Sequence, residues 1–375
     1  MYWLELAGET DAFATYEAAS VAAGVEVMAP GIARAEAVGT GIPRLAYTHA
    51  ALESIGRCDP TVDDAVRLLR VACADRPIEQ DVEERSKAGD EEPLRTGSVA
   101  VRARDVRATT GVSTGRAERE LGQVLVDRGF RVDLEDPDHV LRALFAAGKR
   151  PDHEAVAGAD GERVEACVLG WVHAEADREF APEPTDRPFF QPGSMDPIDA
   201  RAYVNVAGAR PGATVLDPMC GTGGLPIEAG LVGARVLAAD AQPKMVRGTR
   251  RNLRTYLSGS WDVLRGDATV LPVVDDGIDC VVFDAPYGRQ SKIERHELAD
   301  LVAGALSEAA RASDRAVMVA DRDWRSAAVE AGWAIDALFE RRVHRSLTRY
   351  VHVLSLEEPE PIPEREPGTE PEREP

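Results

Sequence analysis

The residues best suited to chemistry in this 375-residue chain are Asp284-Ala285-Pro286-Tyr287. They follow the apolar run Asp279-Cys280-Val281-Val282-Phe283, which predicts a buried parallel strand ended by Pro286. Asp284 then falls at the carboxyl end of a strand, the edge at which open α/β sheets bind ligands. There its carboxylate can accept a hydrogen bond from an amino group, and the Ala285 carbonyl can accept a second. The flat Tyr287 ring can stack on a planar substrate. Such a set could hold the exocyclic amine of a nucleobase with its nitrogen lone pair turned toward an electrophile. The same four residues also fit a strand that ends in an aspartate-capped turn.

Upstream residues weigh against that plainer reading. Thr214-Val215-Leu216 reads as a strand, and Asp217-Pro218-Met219-Cys220-Gly221-Thr222-Gly223-Gly224 follows it. Glycines here let the backbone adopt positive φ and pass close to a ligand. A nicotinamide fingerprint would need glycine three residues after Gly223, where Pro226 stands, and a phosphate-binding P-loop would need a Gly-Lys pair. The run instead resembles the first motif of S-adenosylmethionine-dependent methyltransferases, with Cys220, Gly221 and Gly223 in the cofactor loop. On that resemblance Asp217 faces the ammonium and methionine portion, and Asp240, ending the next strand, suits the ribose hydroxyls. Asp267 at the third strand end suits the adenine amine, and Asp284 ends the fourth. Four acids at four consecutive strand ends make a stronger signal together than any one of them does.

The elements that must position these residues alternate strand and helix from Ala213. Predicted strands are Thr214–Leu216, Arg235–Asp240, Val263–Asp267, the strand ending at Asp284, and Ala316–Ala320. Predicted helices run over 226–231, 243–257, 293–312 and 324–332. Ala334–Val343 and Leu347–Leu356 read as two long antiparallel strands. The pattern is a doubly wound α/β sheet with a C-terminal hairpin, a Rossmann-like class I methyltransferase fold. Residues 1–75 read as a ferredoxin-like α+β unit with helices over 11–23, 43–56 and 61–74. Residues 76–97 read as an exposed linker. Residues 181–198 are rich in proline and read as a semi-rigid connection between domains, with a helix starting near Pro197. This organisation predicts that the C-terminal half keeps its cofactor site when residues 1–180 are removed. Residues 357–375, nearly all Glu, Pro and Arg, are expected to be a disordered acidic tail outside the transferase domain of residues 199–356.

Further resemblances narrow the class. Val99 to Arg104 alternates apolar residues with arginine. Thr114-Gly115-Arg116, a helix carrying Glu120-Leu121-Gly122, and Val132-Asp133-Leu134-Glu135-Asp136-Pro137-Asp138 follow. The order is similar to the THUMP domain of tRNA-modifying enzymes, which binds the acceptor end of tRNA. It implies an RNA-binding unit over 76–180, with Arg102, Arg104, Arg107 and Arg116 as backbone contacts. The same arginines also fit a solvated strand face. Asp284-Ala285-Pro286-Tyr287 resembles the Asp/Asn-Pro-Pro-Tyr motif of amine and amide methyltransferases, departing at Ala285, which still supplies its carbonyl. Gly288-Arg289-Gln290-Ser291, Arg187-Pro188-Phe189-Phe190 and His344-Arg345-Ser346-Leu347-Thr348-Arg349 resemble the archaeal tRNA guanosine-10 N2-methyltransferase family. That family implies transfer of methyl from S-adenosylmethionine to guanosine N2 in tRNA, giving mono- and dimethylguanosine. Arg289 then fits a contact to the nucleotide phosphate or a pair with a surface acid equally well. A protein-glutamine N5-methyltransferase would use the same logic, but without an RNA-binding half and with asparagine at position 284. A DNA adenine methyltransferase would also lack that half. A non-enzymatic tRNA-binding protein would not need the intact acidic set.

Composition bounds the rest. The net charge is −21, and of 44 basic residues only Lys87, Lys149, Lys244 and Lys292 are lysine. This matches a protein adapted to a very salty cytoplasm, where the Debye length falls to about 3 Å and self-repulsion is screened. Phosphate contacts weaken steeply with salt, so RNA binding there must rely on shape, stacking and base contacts. No apolar run is long enough to span a membrane. The five scattered cysteines show neither a zinc pattern nor a disulfide framework. The expectation is a cytoplasmic monomer, with tRNA as partner and no metal.

Overall fold

The computed structural model describes residues 1–74, 95–149, 162–287, 297–345 and 347–356. Arg289, the rest of Gly288–Ser291, most of the 76–97 linker and the acidic tail lie outside these residues.

The N-terminal half is built on one eight-stranded sheet. Across it run Glu26–Ala29, Ile32–Ala35, Tyr2–Leu6, Thr48–Cys58, Arg163–Glu175, His139–Lys149, Ser98–Asp105 and Arg131–Val132. Strands from residues 1–58 and from 98–175 are therefore hydrogen-bonded neighbours, joined where Cys58 faces Cys167. Helices Val62–Ala74 and Thr114–Val126 cover this sheet through Val62, Val66, Leu69, Leu121 and Leu125, at helical spacing. Thr61 caps the first of them, accepting from the Asp64 amide at 3.1 Å.

The predicted helix over 43–56 is not one. Ile42–Arg44 makes a single 3-10 turn, and Thr48–Cys58 is a strand. Its alanines favour helix locally, but the segment is a central strand, paired with Tyr2–Leu6 on one side and Arg163–Glu175 on the other. Pairing on both edges outweighs intrinsic propensity, and Gly56 would have weakened a helix.

In the C-terminal half the strands are β1 (Thr214–Asp217), β2 (Arg235–Asp240), β3 (Trp261–Arg265), β4 (Cys280–Asp284), β5 (Arg315–Ala320), β6 (Ala334–His344) and β7 (Leu347–Ser355). Their order across the sheet is β3-β2-β1-β4-β5-β7-β6. The first five are parallel, and β7 enters antiparallel beside β5. The chain moves outward from β1 to β3, then returns to place β4 on the other side of β1. Ligands bind at this reversal in open sheets, and Asp217 and Asp284 end its two strands. Val281, Val282 and Phe283 are fully buried, which explains the unbroken apolar run. The helices are α1 (Pro197–Ala207), α2 (Gly224–Leu231), α3 (Pro243–Tyr256), α4 (Leu298–Ala312) and α5 (Arg325–Glu330). Asp196 caps α1, accepting from the Ile198 amide at 2.8 Å, and Gly208 closes it at φ 108°.

Two expectations change at the junction between the halves. Residues 181–195 are packed along the C-terminal half rather than bridging open solvent. Buried Glu228 accepts from the Ala181 amide at 2.8 Å, and Asn252 holds both the amide and the carbonyl of Phe189, at 2.9 and 2.8 Å. The halves also share a core. Phe13 packs edge-on against Tyr47, Tyr203 and Phe339, with ring centroids 5.2 to 5.8 Å apart. Fully buried Glu17 accepts from Asn205 of α1 at 2.7 Å and from the Ala46 and Tyr47 amides. Removing residues 1–180 would expose Tyr203 and Phe339 and strip partners from Asn205, which weighs against the expectation that the C-terminal half keeps its cofactor site alone. Among the described residues no helix is long and apolar enough to cross a membrane.

Candidate active site

The turn after β1 is shaped by two positive-φ glycines, Gly221 at 51° and Gly223 at 85°. A side chain at Gly223 would also collide with Thr249, whose Cγ2 would lie 2.9 Å from an added Cβ. Thr249 on α3 pins the turn by donating to the Gly221 carbonyl at 2.8 Å, and the Cys220 thiol is buried against it at 3.7 Å. From β2, Asp240 accepts from the Gly221 amide at 3.0 Å and the Gln242 amide at 2.8 Å. Asp267 lies two residues beyond the end of β3 rather than in it, and accepts from the Thr269 amide and hydroxyl.

A cavity of about 170 Å³ opens over this turn. Asp217, Met219, Gly221, Met245 and Asp284 line it, along with Gln191–Met195. Asp217 and Asp284 thus meet in one space, whereas Asp240 and Asp267 are not among the residues that line it. Asp217 is buried with the Met219 amide donating to it at 3.0 Å. Burial pushes its carboxyl well above the usual range, with Asp240 and Asp284 adding repulsion against the Met219 hydrogen bond. Two carboxylates in a small cavity suit a ligand bearing more than one positive charge.

Asp284 is partly buried, with the Tyr287 hydroxyl donating to its Oδ1 at 2.6 Å. Burial raises its pKa to about 6, while Arg349 and the Tyr287 hydrogen bond hold it from going higher. Arg349 of β7 is almost fully buried and donates through Nε to the Tyr287 hydroxyl at 3.1 Å. Ala285 continues the strand by donating its amide to Val319 at 2.8 Å, which fixes the direction of the loop that carries Pro286 and Tyr287.

Several of these residues were not singled out from the sequence. The 191–195 segment lines the cavity, and Ser194 lies 3.0 Å from the Thr222 hydroxyl. Buried Asn252 ties that segment to the glycine turn by donating to the Thr222 carbonyl at 2.9 Å. Its signal was a polar residue on the apolar face of α3, beside Val246, Thr249 and Leu253. Arg349 lay within a string noted only for its family likeness.

The arginines separate into two sets. Arg102 and Arg104 line a groove of about 590 Å³ on the N-terminal sheet, with His49, Arg142 and Arg178. Arg104 and Arg142 both pair with buried Glu5, at 2.5 and 2.6 Å, and Arg102 donates to the Leu134 carbonyl. Arg107 lies outside the groove, at φ 56°, in a bidentate pair with buried Asp11. Arg116 is on the surface of its helix, paired with Asp63 and Glu120.

A sheet of this order with an acid at the end of each of its two switch-point strands defines a Rossmann-like methyltransferase. Comparison with known proteins agrees: residues 184–351 match the family described as RMKL-like, methyltransferase domain. The tRNA (guanine(10)-N2)-dimethyltransferase of Methanothermobacter thermautotrophicus is 33% identical over 320 residues, 83% of each chain. The protein of the same name from Pyrococcus abyssi is 29% identical over 263 residues, 69% of this chain and 74% of that one. TrmN from Thermus thermophilus matches at 24% identity and a TM-score of 0.45, over 95% of this chain and 99% of that one. The chain belongs to the tRNA (guanine(10)-N2)-dimethyltransferase family.

Proposed function

We propose that this protein transfers methyl groups from S-adenosylmethionine to the exocyclic N2 amine of a guanosine in tRNA, at position 10 as in its named relatives, giving N2-methyl- and N2,N2-dimethylguanosine. The observation that carries the reading is the meeting of Asp217 and Asp284 in one cavity at the switch point. One carboxylate faces the cofactor's cationic end and the other faces the entering amine. Asp240 and Asp267 are the partners for ribose and adenine, and Cys220, Gly221 and Gly223 form the turn against which the cofactor lies. S-adenosylmethionine supplies an electrophilic methyl group when bound.

Guanine N2 is a weak nucleophile because its lone pair is shared with the ring. Asp284 and the Ala285 carbonyl accept the two amine hydrogens, which favours a more tetrahedral nitrogen and fixes its lone pair toward the donor, so positioning carries most of the rate. The target base must leave its stack to reach the cavity. Tyr287 keeps its hydroxyl on Asp284 Oδ1, which leaves the other carboxylate oxygen for the amine, and its ring packs against the base. A second methylation uses the remaining amine hydrogen on Asp284.

The N-terminal half is the RNA-holding part, THUMP-like over residues 76–180. The groove lined by Arg102 and Arg104 is its path for the phosphate backbone, with Arg107 and Arg116 flanking it and Arg289 contacting the target nucleotide. The protein acts as a cytoplasmic monomer. The test is mass spectrometry of nucleosides from transcribed tRNA incubated with enzyme and methyl-labelled cofactor. Label in N2-methyl- and N2,N2-dimethylguanosine, lost when G10 of the tRNA is replaced by adenosine, is expected. Label elsewhere, or none, refutes the reading.

A further inference from the structure

Behind the amine-binding carboxylate lies a chain of buried polar groups that the methyl-transfer reading leaves unused. Arg349 of β7 reaches the Tyr287 hydroxyl at 3.1 Å, and its other end faces Asp199 of α1 at 3.8 Å. Asp199 also accepts from Tyr47 of the N-terminal half at 2.7 Å and from Arg341 of β6 at 2.9 Å. Arg341 in turn donates to the Tyr47 hydroxyl and lies over the rings of Phe13 and Tyr47. Asp199 is therefore gripped from two further sides and cannot readily follow Arg349 if that side chain moves. Arg349 is 3% exposed, so its charge acts in a medium where a carboxylate at this range is strongly felt.

We propose that Arg349, held in place by Asp199, is a positioning residue for methyl transfer: it fixes Tyr287 against Asp284 and presents that carboxylate to the target amine. The inference rests on the methyltransferase reading. Burial favours neutral Asp284, but only the ionised carboxylate accepts freely from an amine, and Arg349 is the cation that opposes burial there. Among the described residues the other charged and titratable groups facing Asp284 are Tyr287 on its own loop, Asp321 after β5, Asp217 at the end of β1, and Tyr203 of α1. The two aspartates among them disfavour a negative charge, so among the described residues Arg349 has no substitute.

The experiment compares wild type with Arg349→Met, Arg349→Lys and Asp199→Asn, measuring methylation of tRNA from pH 5 to 9 and cofactor affinity by calorimetry. For Arg349→Met, kcat should fall about 100-fold while KM for tRNA and cofactor Kd stay within about twofold. The acid limb of its profile should move up by about one unit or more, the size of effect a close opposite charge has on a carboxylate. Arg349→Lys keeps the charge but loses the Nε geometry, so kcat falls with the limb near its wild-type place. Asp199→Asn removes both the anchor of Arg349 and a competing negative charge, so kcat falls because Arg349 is no longer held, while the limb moves the opposite way, to lower pH. Limbs that stay fixed in all three variants, or move together with loss of cofactor affinity, overturn the proposal. If Arg349→Met does not fold, the lysine and asparagine variants decide it. A wild type that methylates no guanosine refutes the underlying function, whereas an active wild type with indifferent variants refutes only the role of Arg349.

Discussion

Asp284→Asn should separate what the active site does for catalysis from what it costs the fold. The carboxyl has a pKa of about 6 against an ordinary 3.8, so its ionised form is disfavoured in the folded protein by about two units. At about 1.4 kcal/mol per unit this is roughly 3 kcal/mol, and screening at a partly exposed side chain cuts it to about 1–2 kcal/mol. That net figure already contains the attraction of Arg349. Asparagine keeps the shape, and its carbonyl oxygen still accepts from Tyr287, but it carries no charge to desolvate. The variant should therefore be more stable than wild type at pH 7.5, with Tm higher by a few degrees. The sign with pH follows from linkage: a raised carboxyl pKa costs nothing below the unfolded value near 4, costs more as pH rises toward 6, and costs its full amount above. Thermal melts at pH 7.5 and pH 4, in the same high salt, should show the advantage shrink to zero at the lower pH. Single-turnover methylation should fall at least about 100-fold, with cofactor Kd within a few-fold. An asparagine variant less stable than wild type at pH 7.5, or equally favoured at both pH values, would refute the reasoning.

Wild-type methylation should rise with pH through about 6, where Asp284 ionises, and then level off; a flat profile from pH 5 to 8 excludes that carboxylate as the acceptor. Gly248→Ala puts a Cβ 2.0 Å from Phe189, so the 189–195 segment must shift; we expect about 1–3 kcal/mol lost in denaturant melts and a cofactor Kd weakened about tenfold, and an unaffected Kd would show that this segment is not part of the cofactor site. Residues 181–375 expressed alone should melt without a cooperative transition, because their seam with the first half is then open to water; a sharp transition with normal cofactor affinity refutes this. With a net charge of −21, the full chain should lose several degrees of Tm between 2 M and 0.1 M potassium chloride, and a salt-indifferent Tm contradicts the halophilic reading.

Much of the C-terminal half was legible because its strands are short unbroken apolar runs ending in an acid. Asp217, Asp240 and Asp284 could be placed at strand ends by pattern alone. Asp267 was displaced by two residues because β3 stops at Arg265, and nothing local marks that boundary. Arg349, Asp199 and Asn252 were hidden for a different reason: each acts across the fold on residues 30 to 152 positions away, and no window of sequence contains both partners. The 43–56 segment failed because its secondary structure is decided by neighbours from residues 2–6 and 163–175. The 181–195 segment was misread because proline content reports stiffness but not the surface against which a stiff chain lies.

The aromatic seam around Phe13 gives the molecule the character of a caliper. In the proposed function one jaw grips RNA and the other carries the reactive pocket, and the seam between them is filled by Tyr47, Tyr203 and Phe339. A tool with a fixed opening chooses a nucleotide by how far it lies from the gripped end. On the proposed function, such a tool has little need to read the letters in between.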